Sequence, residues 1–121
     1  MTEQYDVFLI CPVRNASFFQ KNQINKYIEK MKADGKTVYY PATDTDQNDT
    51  TGFRICTDNK NAIINSKSVA IYWDENSTGS LFDLGIAFCA GKSIEVVNMD
   101  ELVETEKKSF TNMIRHWSFM K

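Results

Sequence analysis

The run Val7-Phe8-Leu9-Ile10 restricts the fold more than any other feature, because apolar and polar residues do not alternate along it. A strand with one wet face alternates. A continuous apolar run of this length is buried on both faces, as in a parallel sheet with helices packed on each side. The run lies within residues 5–13, and Pro12 ends the strand.

The next segment has the helical period. Ile24, Tyr27, Ile28 and Met31 stand at i, i+3, i+4 and i+7 and predict a helix over about 16–34. Asn15 or Ser17 is its candidate N-cap, and Gly35 stops it. Residues 37–40 read as a short strand closed by Pro41, and residues 43–51 (TDTDQNDTT) as a polar loop. A second helix is expected over about 52–66, a third strand over 69–73 and a turn over 74–80. A third helix over 81–90, stopped by Gly91, and a fourth strand over 93–97 follow. The last helix falls within 101–119, where Phe110, Met113, Ile114 and Trp117 form a stripe.

Strands that alternate with helices imply a parallel sheet covered on both faces, since each crossover has to hold a helix. The expected fold is α/β, a three-layer sandwich with four to five parallel strands in the order 2-1-3-4. The 121 residues suffice for one domain over 1–121 and leave no material for a second core.

Several function classes fall away on composition. The formal net charge is −2, and Lys and Arg are dispersed, so electrostatic binding of a nucleic-acid polymer or an anionic membrane is not expected. No apolar run approaches the roughly 18–20 residues that span a bilayer. The polar stretch 1–6 lacks the regions of a signal peptide, which points to a cytoplasmic protein. The three cysteines, Cys11, Cys56 and Cys89, match no metal or redox spacing and are expected to be reduced and mostly buried. His116 is the only histidine, which argues against a His-rich metal site or a Ser-His-Asp triad. No metal or cofactor is expected, and acid–base chemistry falls to carboxylates, Tyr, Lys or Cys.

In sheets of this kind ligands bind beyond the carboxyl ends of the strands, where the strand order reverses. Order 2-1-3-4 puts that point between strands one and three, at the loops 12–17 and 74–80. In the second loop, Ser77-Thr78-Gly79-Ser80 joins a strand to a helix start. Free N–H groups, hydroxyls and a glycine that permits close approach suit a phosphate or carboxylate. Ser80-x-x-Asp83 also fits a capping box, with both residues serving only the helix end. Gly85 fits close packing of that helix on the sheet. In the first loop, Arg14 suits bidentate recognition of an oxyanion or, alternatively, a surface ion pair. Tyr39, Tyr40, Tyr72 and Trp73 either stack on a base or fill the core.

The pattern FLICPVR, then VYYPATD, then D-x-x-S-x-G-S-x-x-D-L-G-x-A-x-x-x-G-K over 74–92 resembles the nucleoside 2-deoxyribosyltransferase superfamily. The resemblance covers residues 5–98 and is most specific at Gly79–Ala87 and Gly91-Lys92. It implies a flavodoxin-like sheet and a two-step reaction. A carboxylate attacks the anomeric carbon, the base leaves, and water or a second base resolves the glycosyl-enzyme. The family's Glu nucleophile corresponds to Asp83, which is one methylene shorter. Ser77, six residues earlier, and Arg14 resemble the branch that hydrolyses nucleoside 5′-monophosphates. A carboxylate at position 77 would repel the phosphate.

By the same resemblance Asp58 falls near the family's substrate-orienting Asp, with the spacing off by about a residue. Asp44 or Asp46 stands near the loop that reads the base. The implied site has Asp83 and Asp58 as catalytic residues and Pro12, Arg14, Asp44, Asp74, Ser77, Gly79 and Ser80 around a nucleoside or nucleotide. A homodimer or higher homo-oligomer is also implied, with residues 110–120 as the candidate contact surface. Two other readings stay open at this stage: a nucleotide-binding or sensing module without turnover, and a TIR-like domain acting on NAD-type nucleotides.

Overall fold

A computed structural model describes residues 4–120. Of the polar N-terminal stretch, the first three residues lie outside them. In chain order the elements are β1 (Tyr5–Ile10), α1 (Phe18–Ala33), β2 (Val38–Tyr39), α2 (Pro41–Asp44), α3 (Phe53–Ile64), β3 (Ser66–Ile71), α4 (Thr78–Cys89), β4 (Ile94–Val96), a 3-10 turn (Met99–Glu101) and α5 (Phe110–Ser118). The four strands are all parallel and ordered β2-β1-β3-β4, as expected; the described residues form no fifth strand.

The unalternating run explains the centre of the sheet. Phe8, Leu9 and Ile10 have no exposed surface, and each such burial stabilises the fold by about 1.5–3 kcal/mol. Phe8 and Ile10 look into a cluster built with Ile63 of α3, Leu84 and Ala87 of α4 and Ile114 of α5. Val7 and Leu9 look the other way, toward Ile24 and Ile28 of α1. The layers are therefore uneven, with three helices on one face and α1 on the other.

Helix ends follow local chemistry. Ser17 caps α1 in a capping box with Gln20, and Gly35 follows α1 with φ +76. Gly52, at φ +80, begins α3 without a side chain. Asp49 caps that helix instead, accepting the N–H groups of Arg54 (2.9 Å) and Ile55 (3.1 Å). Lys92 closes the other end of α3, its Nζ donating to the carbonyls of Ile64 and Ser66 at 3.0 and 2.6 Å.

Four features differ from the sequence expectation. β3 starts at Ser66 rather than Val69, because Ser66 and Ser68 pair with Tyr5 and Val7 of β1 despite being polar. It ends at Ile71, after which Asn98 takes over the backbone of Trp73. The Asn98 side chain accepts the Trp73 N–H at 2.8 Å and donates to its carbonyl at 2.9 Å, and it is buried. Residues 41–44, expected to be a strand end and loop, coil into α2, with Pro41 at its first turn. Helix α4 starts three residues early, at Thr78.

The Asn98 clamp fixes where the chain leaves β3 and hence where the loop toward α4 begins. Asn98→Ala strands a buried donor and a buried acceptor and is expected to cost about 2–4 kcal/mol of unfolding free energy in urea titration. A loss below about 0.5 kcal/mol would show that the clamp is not holding this loop. Cysteine burial is lower than expected: Cys11 is buried, Cys56 is half-buried, and Cys89 is exposed, all as free thiols. No helix of the described residues is long and apolar enough to cross a membrane.

Candidate functional site at the carboxyl ends of β1 and β3

The reversal of strand order falls between β1 and β3, so their outgoing loops meet above the sheet. Asp83 comes to this point from α4. Because α4 begins at Thr78, Asp83 is not in the first turn. Ser77 is the N-cap, its Oγ accepting the Ser80 N–H at 3.3 Å and bonding the Ser80 Oγ at 2.8 Å. The Ser80–Asp83 capping box is thereby overturned: Ser77 reaches the helix end first, and Asp83 is left on the inward face one turn further on. There it is only 7 % exposed.

The surroundings of Asp83 are unusual for a carboxylate. Burial pushes its pKa from 3.8 up to about 7, and a hydrogen bond from the Asn59 side chain pulls only partly back. Among the described residues no Lys, Arg or His contributes to its titration. The thiols of Cys11, at the end of β1, and Cys56, on α3, lie close enough to interact with its charge. Burial, then the Asp83 charge, raise Cys11 to about 12, so it stays a neutral thiol. A buried carboxyl titrating near neutrality is able to act as nucleophile or as proton carrier.

Asn59 is the residue that sequence reasoning missed. Asp58, expected beside the nucleophile, turns away and pairs with Arg54 at 2.8 Å on the same helix. Asn59, one residue later, is buried, and its side chain lowers the Asp83 pKa. The approximate register of the sequence comparison was the available signal, since one residue on a helix rotates a side chain by about 100°. Beyond Asn59 the polar contacts continue inward. Thr45 Oγ1 donates to Asn59 Oδ1 at 2.8 Å, and Tyr39 Oη lies 2.6 Å from Thr45 Oγ1.

The remaining expected residues divide into two groups. Ser77, Gly79 and Ser80 form the first turn of α4, where the N–H groups of Thr78 and Gly79 have no partner among the described residues. Open space surrounds Gly79, so a ligand is able to reach that backbone. Arg14 is exposed in the loop after β1 and makes no hydrogen bond or ion pair among the described residues. Pro12, two residues earlier, is buried.

The other residues are engaged in holding the fold. Asp74 accepts from Gln20 Nε2 at 3.1 Å and from the Asn76 N–H at 2.9 Å, joining the loop after β3 to the first turn of α1. Asp44, the last residue of α2, accepts the Tyr40 N–H at 2.8 Å. Asp46 lies 3.9 Å from Arg54 at the surface. Tyr39 stacks on Phe8 with centroids 5.3 Å apart, and Tyr72 and Trp73 are buried. Only Tyr40 of the four aromatics is half-exposed, with its phenol near Cys11. Gly85 faces outward and has nothing packed on it, contrary to the packing expected.

A hollow of about 480 Å³ adjoins the site, lined by Gly52, Phe53, Cys56, Lys60 and Phe82 among others. Cys56 and Phe82 connect it to the flank of Asp83. A second hollow of similar volume lies at the amino ends of β1, β3 and β4, by Asp6, Lys67 and Glu95. Strand polarity favours the first, since open parallel sheets bind ligands at carboxyl ends. Among the described residues no group of three or more His, Cys, Asp or Glu is placed to hold a metal ion. In comparisons with known proteins, no family model, no curated protein and no solved structure matches the chain.

Proposed function

We propose that this protein acts on the N-glycosidic bond of a nucleoside or, preferentially, a nucleoside 5′-monophosphate, as a nucleoside 2-deoxyribosyltransferase-like enzyme. The observation that carries the reading is Asp83, a buried carboxyl with no cation beside it among the described residues, set at the strand-order reversal one turn inside a helix whose N-terminus is open. An anion held by the Thr78 and Gly79 N–H groups, with Arg14 folding over it, would bring the sugar carbon of a nucleotide toward Asp83. The ionised carboxylate attacks C1′, the C–N bond breaks, and the base leaves with the bonding pair. Water or a second base then attacks C1′ and frees Asp83.

The test is release of free base from a panel of nucleosides and 5′-monophosphates, followed by chromatography. The reading predicts release, faster with the phosphorylated members, and loss of that preference in Arg14→Ala. No release from any member of the panel would overturn it.

The burial of Asp83 and its short side chain favour a second reading, a module that binds nucleotide without turnover. Nucleotide binding by calorimetry without base release would select it. Activity appearing in Asp83→Glu would mark an enzyme that has lapsed by one methylene.

The reading includes self-association. The expected contact stripe on α5 is largely spent within the fold, since Met113, Ile114 and Trp117 pack on the sheet. Exposed apolar side chains remain at its ends, with Phe110, Phe119 and Met120 at 53, 68 and 63 % exposure, and lie also on α3 and α4, at Phe53, Phe82 and Phe88. Light scattering is expected to show at least a dimer that Phe82→Glu dissociates. A monomeric wild type would contradict this part of the account.

A further inference from the structure

Gln20 stands third in α1, where the helix end asks only for an oxygen. Its Oε1 accepts the Ser17 N–H at 2.9 Å, and Ser17 Oγ accepts the Gln20 N–H at 3.0 Å. A glutamate closes such a box equally well and also suits the positive end of the helix dipole. The amide has a second partner, because its Nε2 donates to Asp74 Oδ2 at 3.1 Å. Both ends of the amide are fixed by groups with one role each: a backbone N–H only donates, and a carboxylate oxygen only accepts. From Asp74 the bonds run on to α4. Asp74 Oδ1 accepts the Asn76 N–H at 2.9 Å, the Asp74 carbonyl accepts the Ser77 N–H at 3.0 Å, and Ser77 caps α4. One side chain thus connects the N-cap of α1 to the turn that ends in the N-cap of α4.

We infer that Gln20 and Asp74 are positioning residues: their bond sets the loop that carries Arg14 in place against the first turn of α4. No other hydrogen bond among the described residues joins residues 12–20 to residues 74–80. The first loop turns at Asn15, whose φ of +65 is a left-handed conformation that asparagine tolerates. Its shape is therefore specific, and the Gln20 bond decides where that shape stands. A carboxylate in place of the Gln20 amide would keep the box and face Asp74 with like charge, so the helix end alone does not account for the amide. The consequence for function rests on the glycosidic reading. There the two loops are the two halves of the phosphate site, with Arg14 from one and the Thr78 and Gly79 N–H groups from the other.

The experiment compares Gln20→Glu, Asp74→Asn and the double exchange in the whole chain. Calorimetry measures affinity for deoxynucleoside 5′-monophosphates and the matching nucleosides, and amide NMR follows residues 13–17 and 74–79. Gln20→Glu keeps the cap of α1 and breaks the contact between the loops. Its monophosphate affinity is expected to fall about 10-fold, the effect of one charge-assisted hydrogen bond, with nucleoside affinity nearly unchanged. Asp74→Asn is expected to weaken monophosphate binding as well, because an amide does not accept at both ends. Charge alone predicts the opposite, since that variant removes a negative group near the phosphate. The double exchange reverses donor and acceptor, keeps the net charge, and is expected to return affinity to within about 2-fold of wild type. The inference is overturned by Gln20→Glu within about 2-fold of wild type, by Asp74→Asn at least as tight as wild type, or by a double exchange no better than the poorer single variant. A wild type that binds none of the panel defeats the glycosidic reading, and the NMR readout then decides the positioning role. Amide signals of both loops are expected to move together in Gln20→Glu and to return in the double exchange. Signals of residues 74–79 that stay in place in Gln20→Glu, or that move and do not return, would show that the bond does not position the loops.

Discussion

Asp83→Ala is expected to lower base release by about 10³-fold or more, with nucleotide affinity changed far less. The expectation follows from the division of labour at the site. On the proposed reading the first turn of α4 and Arg14 bind the phosphate, and the attacking pair comes from Asp83. Removing a nucleophile takes away an interaction made only as the reaction proceeds, so the loss falls on kcat rather than KM. Asp83→Ala with near wild-type kcat would remove Asp83 from the chemistry. Asp83→Ala with kcat intact and KM raised many-fold would recast it as a binding group.

The second large effect is on stability and has the opposite sign. The folded chain holds the Asp83 proton more tightly than the unfolded chain, with a pKa of about 7 against 3.8. Below about pH 3.8 both states are protonated and the site contributes no pH dependence. Between about pH 4 and 7 the unfolded state releases a proton that the folded state keeps, so this contribution to stability is lost as pH rises. Above pH 7 the full cost of a buried charge remains. A difference from 3.8 to about 7 corresponds to an upper bound of about 4 kcal/mol, at about 1.4 kcal/mol per pH unit. Asp83→Asn is therefore expected to be more stable than wild type by about 2–4 kcal/mol at pH 8, with the advantage fading toward pH 4. Urea titrations at a series of pH values read this directly. Equal stability at pH 8 would mean that the carboxylate is better solvated than its burial implies. An inactive variant more stable than its parent is the pattern of a group kept for chemistry at the expense of the fold.

The sheet was legible because its signals are large and redundant. An unalternating Val7–Ile10 and a stripe at Ile24, Tyr27, Ile28 and Met31 admit few arrangements, and the parallel 2-1-3-4 sheet follows from their alternation. Element ends were less legible, because they depend on which of several polar groups reaches a backbone donor first. Ser77 and Ser80 are both acceptable N-caps by type; the competition was settled by Ser77, and that choice turned Asp83 from a capping residue into an inward-facing one. Ser66 joins β3 because β1 offers it a partner, a long-range fact that no local pattern carries.

The candidate site was legible in its location and in Asp83, which the structure buries at the reversal of strand order. It was less legible in its partners. Asp58 and Asn59 are adjacent in sequence, yet α3 sends one to Arg54 at the surface and buries the other, whose side chain lowers the Asp83 pKa. A one-residue uncertainty in register is harmless for placing a helix and decisive for placing a side chain. Thr45 had no signal at all, since in the sequence it is one more residue of a polar loop. Its burial comes from the fold of 41–47 over Tyr39.

The central claim is that Asp83 forms a covalent bond to a sugar carbon. Intact-mass spectrometry of the acid-quenched protein, during turnover of the best substrate from the panel, tests it most directly. The account predicts an added mass equal to the glycosyl group or its 5′-phosphate, mapped by peptide digestion to Asp83 and absent from Asp83→Ala. Base release that proceeds with no adduct at Asp83, or with the adduct on another residue, would contradict it.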